Sequence, residues 1–420
     1  MIEFNSLAVA LLAALLLLWK LDFVATLLSL KHHQAELPEE FRGVWDEEKY
    51  AQSRDYEIAQ ARFGVVSSIW SLTLLLTFWF FGGFTWLDGI AHSVASTPIW
   101  RGLTFMALLY LGTWLSALPF DLYHTFVLEE RFGFNKTSAR TWIGDQGKSL
   151  VMTALLGGPI LALILWIFGS VEQAWLWAWL AFTGISLALT YLAPSLILPL
   201  FNQFSPLKDE ELKAAINEMA QKCKFPLTEI SVMDGSKRSS KSNAFFTGFG
   251  KRKKIALFDT LIESQSRAEL VAVLAHEIGH FKKKHIVQRL LLSVAQTAVI
   301  FFLLGFATDP ESALGSRLFP AFGVQPSIYT GLVLFMILFK PVSRILSIFM
   351  NGLSRKHEFE ADEYAARAQN SPDHLISALK KLSAHNLSNL TPHPLEVFLD
   401  HSHPPVLTRI KALKQLPVGT

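Results

Sequence analysis

The chain has 420 residues, of which 51% are hydrophobic and only 17% are charged. Soluble domains carry roughly 25% charged residues, so this composition excludes an ordinary soluble protein and indicates a membrane protein. The net charge of +3 is too small to argue for nucleic acid, and no nucleic-acid partner is expected.

Seven stretches are long and apolar enough to cross a bilayer, whose hydrocarbon core of about 30 Å takes about 20 helical residues. The expected spans are Leu7–Leu28, Val65–Ile90, Leu103–Phe120, Leu150–Gly169, Ala174–Phe201, Ile286–Phe306 and Ser327–Met350. The first is not expected to be a cleaved signal peptide, because no Lys or Arg precedes it and no clear small-residue cleavage site follows. Lys340, Pro341 and Arg344 interrupt the seventh, so its second half is expected to leave the bilayer or to line a wet cavity.

The distribution of basic residues predicts the orientation in the membrane. Lys and Arg are frequent after the first and third spans, in 202–285 and after 351, whereas the loops 91–100 and 170–173 have none. Since basic residues accumulate on the cytoplasmic side, the N-terminus is expected outside and the C-terminus in the cytoplasm. The single cysteine, Cys223, is compatible with a reducing compartment.

The spans divide the chain into four parts. Residues 1–201 hold five spans, 202–285 form a soluble segment, 286–350 hold spans six and seven, and 351–420 form a second soluble segment. Ser205 is expected to cap a helix that begins in "SPLKDEELKAAI". "LTEISVMD" alternates as a strand does, and "SNAFFTGFGKRKKIALFD" reads as two strands around a Gly-Lys-Arg-Lys turn. The segment 202–285 is therefore predicted to be a small α+β domain that ends in the helix "SRAELVAVLAHEIGHF".

The sequence "HEIGH" in that helix has the spacing of a metal site. His276 and His280 are four residues apart and therefore share one face of a helix, where one Zn²⁺ can contact both imidazoles. Glu277 is adjacent and is expected to take a proton from a water molecule at the metal. The alternative is a surface helix with two histidines.

A catalytic zinc site needs a third protein ligand and one open position. The long metzincin pattern fails, because it requires Gly at position 283 and His at position 286, where this chain has Lys283 and Ile286. His285 follows His280 by five residues and is expected to face elsewhere. The third ligand is therefore expected elsewhere in the chain.

The segment "SRKHEFEADEYAARA" offers that ligand. Glu358 and Asp362 are four residues apart on a predicted helix, so Glu358 can bind the metal while Asp362 accepts a hydrogen bond from a ligand histidine. The alternative is a solvated acidic helix, since Glu360 and Glu363 are also present.

The order "HEIGH", "SRKHEFEAD" and "HSHPPVLTRIKAL" resembles the type I CAAX prenyl protease family. The segments "YHTFVLEERFGFN" and "DGSKRSSKSNAFFTGF" extend the resemblance over nearly the whole chain. It implies a multi-spanning zinc endopeptidase whose seven helices enclose a chamber and which cleaves the tails of prenylated proteins. It also implies one zinc ion bound by His276, His280 and Glu358, with Glu277 as the catalytic residue. The smaller heat-shock membrane proteases share part of this pattern but have fewer spans.

The same resemblance implies further roles. Asp362 belongs to the catalytic site, either as a proton donor or as the residue that orients a ligand histidine. Asn243, Ala244, Phe245 and His403 fall where family members hold the substrate backbone, and His403 is also expected to stabilise the oxyanion. Arg409 matches the arginine of the "HPPxxxR" pattern and is expected to be a further substrate-binding residue. The plainer alternatives are that Asn243 starts a strand, that His403 caps a loop and that Arg409 pairs with a surface acid.

The predicted fold is a mainly α integral membrane protein with seven spans, a chamber and a small zincin-type cytoplasmic catalytic domain. His280 precedes the sixth span by six residues, about 9 Å along a continuous helix, and Glu358 follows the seventh span. The metal would therefore join the cytoplasmic ends of two spans. The expected function is hydrolysis of peptide bonds in membrane-associated, prenylated or hydrophobic C-terminal substrates, with membrane lipid as a further partner.

Two rival functions remain. The first is a quality-control protease for misfolded membrane proteins, which would use the same site on other substrates. The second is a channel or transporter with a structural zinc; it is disfavoured because structural sites are usually closed by four ligands and rich in Cys.

Overall fold

The computed structural model describes residues 2–32, 36–247 and 253–417. Among these residues, seven helical segments are long and apolar enough to cross a membrane. They are Ser6–His32, Glu47–Phe80, Pro98–Glu129, Ala139–Ser170, Ala174–Phe201, His285–Thr308 and Ile328–Gln369. The prediction of a multi-pass, mainly helical membrane protein is confirmed.

The α-helices follow one another in two groups. The first group is α1 (Ser6–His32), α2 (Glu47–Phe80), α3 (Gly83–Val94), α4 (Pro98–Tyr123), α5 (Ala139–Met152), α6 (Gly158–Ser170), α7 (Ala174–Leu196) and α8 (Leu198–Phe201). The second is α9 (Glu210–Lys222), α10 (Asp259–Ser264), α11 (Arg267–Lys282), α12 (His285–Thr308), α13 (Gly315–Phe322), α14 (Ile328–Gln369), α15 (Asp373–His385), α16 (Pro394–Asp400) and α17 (Val406–Lys414). Two π-helical segments, His124–Glu129 and Thr153–Gly157, continue α4 and join α5 to α6.

Short polar side chains set the starts of several membrane helices. Asp46, Thr97, Ser138 and Ser327 each accept a hydrogen bond from a backbone N–H in the first turn of α2, α4, α5 and α14. These bonds satisfy donors that a helix start leaves without an intrahelical partner. The apolar sequence that follows then needs no further polar partner inside a bilayer, because the helix satisfies its own backbone.

Two predicted spans have different bounds in the structure. The second span ends at Phe80, because Gly82 adopts a left-handed conformation (φ 71°) and α3 starts as a separate helix; the predicted range Val65–Ile90 was wrong. The seventh span is one helix of 42 residues that passes through Pro341 without a break. Its continuity means that one rigid element leads from the bilayer to the predicted third ligand.

The membrane helices pack closely at one place and leave a partly open cavity at another. Trp79 stacks on Phe322 with ring centroids 4.3 Å apart, and its indole N–H donates to the backbone oxygen of Ala321 at 2.8 Å. A cavity of about 810 Å³ lies among α2, α3, α4 and α14, lined by side chains that include Trp70 and Met336. These features agree with the predicted helical bundle around a chamber.

The described residues of the soluble part form a sheet of four strands. The strands are β1 (Phe204–Pro206), β2 (Leu227–Met233), β3 (Ala244–Thr247) and β4 (Lys253–Phe258), in the order β1-β2-β4-β3. β2 and β4 are parallel, whereas β1 and β3 are antiparallel to their neighbours. β3 is therefore an edge strand of this sheet. The predicted Gly-Lys-Arg-Lys turn lies outside the described residues, except for Lys253 at the start of β4.

The predicted cap of the first soluble helix was wrong. Ser205 lies in β1, opposite Val232, and Asp209 caps α9 by accepting a hydrogen bond from the backbone N–H of Leu212 at 2.9 Å. Both residue types cap helices well, so the pairing of β1 with β2 decides between them.

α11 begins at a capping box whose acid also joins two helices. Ser266 and Glu269 exchange the reciprocal hydrogen bonds of this motif. The Glu269 carboxylate, only 4% exposed, also accepts hydrogen bonds from Ser377 (2.5 Å) and Lys381 (2.8 Å) of α15. Burial alone would raise the pKa of Glu269, but these hydrogen bonds hold it at about 2.

We expect Glu269→Ala to lower the free energy of unfolding by about 2–4 kcal/mol, because it removes a helix cap and a buried ionic partner together. The difference from wild type should be complete above pH 4.5 and should disappear as the pH falls towards 2, since the folded pKa is depressed. Thermal melting of the detergent-solubilised protein across this pH range is the measurement. Glu263→Ala, at an exposed acid on α10, is the control, and equal melting of the two variants would contradict the prediction.

Candidate active site

The two predicted histidine ligands and the predicted glutamate ligand face one another between α11 and α14. The Nε2 atoms of His276 and His280 are 3.2 Å apart. One oxygen of Glu358 lies 3.5 Å from Nε2 of His276, and the other lies 3.4 Å from Nε2 of His280. The two imidazole nitrogens and the two carboxylate oxygens thus surround a common point.

These distances fit a tetrahedral metal ion. An ion with ligand bonds of about 2.0–2.2 Å places its ligand atoms about 3.3–3.6 Å apart. The observed separations of 3.4 and 3.5 Å lie in that range, and the separation of 3.2 Å between the two imidazole nitrogens is just below it. Two imidazoles and one carboxylate are also the donor set of several catalytic zinc sites, which keep the fourth position open.

Close contact between the two helices makes this geometry possible. Gly279 lies between the two histidines, and a Cβ atom there would come within 3.0 Å of the backbone of Ala361 on α14. Ala361 is itself fully buried. Small residues on both helices therefore let the backbone of α11 approach α14 closely enough for Glu358 to reach the two imidazoles.

Glu277, on α11, lies beside the three candidate ligands. Burial raises the pKa of its carboxyl group, with the charges of His276 and His280 acting in the opposite direction. We find no hydrogen bond or ion pair to this carboxylate within the described parts of the chain. The group is therefore available to accept a proton, and a raised pKa suits a base that works near neutral pH.

A buried ion pair of Asp362 and Arg409 contacts the side of the His276 ring opposite Nε2. Oδ1 of Asp362 lies 2.8 Å from Nδ1 of His276, which leaves Nε2 directed at the ligand cluster. Arg409 on α17 donates to both oxygens of Asp362, at 2.6 and 2.8 Å, and lies 3.3 Å from Glu358. This geometry favours the orienting role of Asp362 over that of a proton donor, because its two oxygens are already engaged. Arg409 pairs with a buried acid and not with a surface acid.

We expect Arg409→Gln to lower the free energy of unfolding by about 3–5 kcal/mol and to weaken metal binding, because it leaves two buried carboxylates without their cation. The stability and the metal affinity of Arg409→Lys should lie between those of the wild type and those of Arg409→Gln. An ammonium group keeps the charge but not the two-point contact. Lys411→Gln on the same helix is the matched control, because that side chain is 58% exposed. Melting temperature and metal affinity are the measurements, and Arg409→Gln behaving like Lys411→Gln would contradict the prediction.

The predicted substrate-binding residues other than Arg409, which is buried against Asp362, lie at two places. Nε2 of His403 is 3.4 Å from Glu358, and 66% of its side chain is exposed, so it lines the open side of the ligand cluster. Asn243 precedes β3, and Ala244 and Phe245 begin this edge strand. The next residue, Phe246, packs on Phe225, which also packs on Phe281 directly after His280. Aromatic contacts therefore connect the edge strand to α11, which carries the two candidate histidine ligands.

Two features of the site did not follow from sequence spacing. α11 and α12 are not continuous: α11 ends at Lys282, and Lys284 has a left-handed conformation (φ 59°). The expectation of one helix from His280 into the sixth span was therefore wrong. His285 is not part of the cluster of His276, His280 and Glu358, as expected for a residue that faces elsewhere. It does contact one of these residues, because its Nδ1 lies 3.0 Å from Nδ1 of His280.

The segment 121–148, to which the sequence assigned no chemistry, holds the approach to β3. Glu129 accepts a hydrogen bond from Lys241 at 2.9 Å, and Asp145 pairs with Arg238 at 2.8 Å. Both partners lie shortly before Asn243. The membrane region thus fixes the segment that leads into the edge strand.

Comparison with known proteins matches both halves of the chain to protease families. Residues 26–203 match the family described as the CAAX prenyl protease N-terminal, five membrane helices, and residues 206–416 match peptidase family M48. CAAX prenyl protease 1 of Saccharomyces cerevisiae is 37% identical over 407 residues, covering 91% of this chain and 89% of the relative. The CAAX prenyl protease 1 homolog of Homo sapiens is 33% identical over 457 residues, covering 96% and 95%.

A solved structure has the same fold. The crystal structure of S. mikatae Ste24p superposes with a TM-score of 0.91 at 34% identity, covering 98% of this chain and 100% of that chain. The ligand cluster, the seven spans and these relatives lead to one conclusion. The chain belongs to the CAAX prenyl protease branch of peptidase family M48 and is a multi-pass membrane metallopeptidase.

Proposed function

We propose that this chain is a zinc endopeptidase that hydrolyses peptide bonds near the C-terminus of membrane-associated, CAAX-type protein substrates. The observation that carries the proposal is the cluster of His276, His280 and Glu358 at tetrahedral spacing, with Glu277 beside it. Family membership excludes the rival reading as a channel or transporter.

Zinc is the metal that this donor set fits best. Imidazole nitrogens favour zinc and its transition-metal neighbours over Mg²⁺ and Ca²⁺, which take oxygen ligands. When bound, Zn²⁺ supplies Lewis-acid chemistry: it polarises a carbonyl oxygen and makes water more acidic. His276, His280 and Glu358 would hold it and leave one position for substrate and water.

The remaining steps fall to the protein's own side chains. Glu277 accepts a proton from the attacking water and later delivers it to the leaving amine. His403, on the open side of the cluster, donates a hydrogen bond to the oxyanion that develops on the scissile carbonyl. Asp362 and Arg409 keep His276 in the tautomer that directs Nε2 at the metal.

The substrate backbone would bind along β3. An edge strand presents unpaired N–H and C=O groups that a peptide can join as a further strand. Asn243, Ala244 and Phe245 lie at the start of this edge. Main-chain hydrogen bonds there would hold the peptide extended, independently of most of its side chains.

The position of the site suits a substrate anchored in lipid. α14 runs unbroken from the membrane span to Glu358, and the spanning helix α12 starts at His285, five residues after His280. The metal would thus lie near a bilayer surface, where a prenylated or very hydrophobic tail can stay in lipid during cleavage. The cavity of about 810 Å³ among the membrane helices offers room for an apolar group.

A pair of matched peptides tests the substrate class. The purified protein is incubated with a farnesylated CAAX peptide and with the same peptide lacking the lipid, with and without a zinc chelator, and the products are identified by mass spectrometry. We expect chelator-sensitive cleavage that is much faster for the farnesylated peptide. Equal cleavage of both would favour the quality-control function, and chelator-resistant cleavage would contradict the metal mechanism.

We also propose that the N-terminus lies outside and the catalytic part and C-terminus lie in the cytoplasm. The excess of Lys and Arg in the segments flanking the site supports this orientation. To test it, epitope tags are placed at the two termini of the protein, and intact spheroplasts or right-side-out sealed vesicles are treated with a protease from outside. The N-terminal tag should be accessible from outside and the C-terminal tag should be protected; the reverse pattern would contradict the proposal.

A further inference from the structure

We propose that His285, supported by Glu360, is a positioning residue that fixes the tautomer and the ring orientation of His280 at the metal. The inference rests on the proposed metal site and adds a supporting pair for its second imidazole. It concerns two residues for which the sequence predicted no role, His285 and Glu360.

Three side chains form a continuous chain of hydrogen bonds that starts at the ligand. Nδ1 of His280 lies 3.0 Å from Nδ1 of His285, and Nε2 of His285 lies 2.9 Å from a carboxylate oxygen of Glu360. His285 is only 1% exposed, so water does not compete for its ring nitrogens. Glu360 lies on α14, two residues after the proposed ligand Glu358, and is partly exposed.

The order of donors and acceptors follows from the carboxylate at the end. The carboxylate of Glu360 can only accept a hydrogen bond, so Nε2 of His285 carries a proton and donates the hydrogen bond between them. Nδ1 of a neutral His285 then bears a lone pair and accepts the N–H at Nδ1 of His280. The proton of His280 is thereby held on Nδ1, and its Nε2, which faces His276 and Glu358, keeps the lone pair that a metal requires.

The arrangement mirrors the support of the other histidine. His276 has its Nδ1 against Asp362, a direct carboxylate partner at 2.8 Å. His280 reaches its carboxylate, Glu360, through the ring of His285. Both ligand imidazoles are therefore held by a buried hydrogen bond at the nitrogen opposite the metal.

The helix break between α11 and α12 brings His285 back to His280. On one continuous helix, residues five apart are about 140° apart around the axis and do not meet. Lys284 instead adopts a left-handed conformation (φ 59°), which is uncommon for a residue with a side chain. The surrounding structure thus maintains a strained backbone at the position that allows this contact.

A second histidine fixes the plane of His285. The ring of His357 stacks on it with centroids 3.9 Å apart and an angle of 9° between the planes. Nε2 of His357 lies 3.0 Å from the side-chain oxygen of Gln288 on α12. The His285 ring is therefore restrained both along its hydrogen bonds and across its faces.

Metal affinity tests the proposal with a readout that does not depend on turnover. Zinc retention against a chelator is measured for the full-length wild type, His285→Phe and Glu360→Ala, together with the visible spectrum of the cobalt-substituted proteins. We expect metal affinity to fall about 10- to 100-fold in His285→Phe and less in Glu360→Ala, with an altered cobalt spectrum in both. Glu360→Gln keeps an acceptor oxygen and should retain more affinity than Glu360→Ala.

Glu363→Ala is the matched control, because Glu363 lies one residue beyond Asp362 on α14 and pairs with Arg367 instead. Its affinity and cobalt spectrum should equal those of the wild type. If folded His285→Phe and Glu360→Ala also match the wild type, the proposal is wrong. Should His285→Phe fail to fold, the two Glu360 variants decide alone; a wild type that binds no metal would instead overturn the proposed function.

Discussion

Replacing Glu277 with Gln is expected to slow peptide hydrolysis by about 10²- to 10⁴-fold, the usual contribution of a positioned general base. The amide has nearly the same shape as the carboxylate but cannot take a proton from water. Glu277 is not one of the three clustered ligand residues, so the metal should stay bound. The variant therefore separates proton transfer from metal binding.

Turnover at saturating peptide and metal content per chain are the two measurements for Glu277→Gln. Glu263→Gln makes the same chemical change at an exposed position on α10 and serves as the control. A metal-loaded Glu277→Gln protein that keeps more than a tenth of wild-type turnover would rule out the assigned role of this residue.

Replacing Glu358 with Gln is expected to remove the metal and, with it, the activity. Glu358 is 4% exposed and has one carboxylate oxygen near each of the two imidazoles. Its negative charge and both of its oxygens are therefore directed at the metal position. A neutral amide is a weaker metal ligand than a carboxylate. It also removes one of the two carboxylates that pair with Arg409. The loss of affinity should exceed the roughly 100-fold upper range for loss of a supporting hydrogen bond.

Metal analysis after dialysis and peptide turnover measure the effect of Glu358→Gln. Glu363→Gln is the control, because it changes an acid on the same helix that pairs with Arg367 away from the cluster. Thermal melting establishes that the variant is folded. One equivalent of metal in folded Glu358→Gln would remove this residue from the ligand set.

Helical periodicity explains what could be predicted from the sequence. His276 with His280, and Glu358 with Asp362, are pairs four residues apart, and each pair lies inside one unbroken helix. In such a helix the spacing alone determines which side chains share a face. The seven spans were similarly predictable, because a bilayer demands long apolar helices.

Spacing failed where the backbone leaves regular helix. The left-handed Lys284 redirects His285 towards His280, and no hydrophobic pattern marks that residue as special. Gly82 ends the second span in the same way. Both errors arise because a single backbone conformation, and not the composition of the segment, sets the direction of the chain that follows.

Contacts between segments that are distant in the sequence could not be predicted from it either. Arg409 meets Asp362 across 47 residues, and Lys241 meets Glu129 across 112. Distance along the chain carries no information about which helices pack together. The buried position of the Arg409–Asp362 pair therefore became visible only in the folded structure.

The most direct test of the central claim is an anomalous difference map recorded at the zinc absorption edge from crystals of active, full-length protein. We predict one peak per chain, about 2.0–2.2 Å from Nε2 of His276, Nε2 of His280 and a carboxylate oxygen of Glu358. A peak away from these three atoms, or none at all in crystals of protein that still cleaves peptide, would contradict the account.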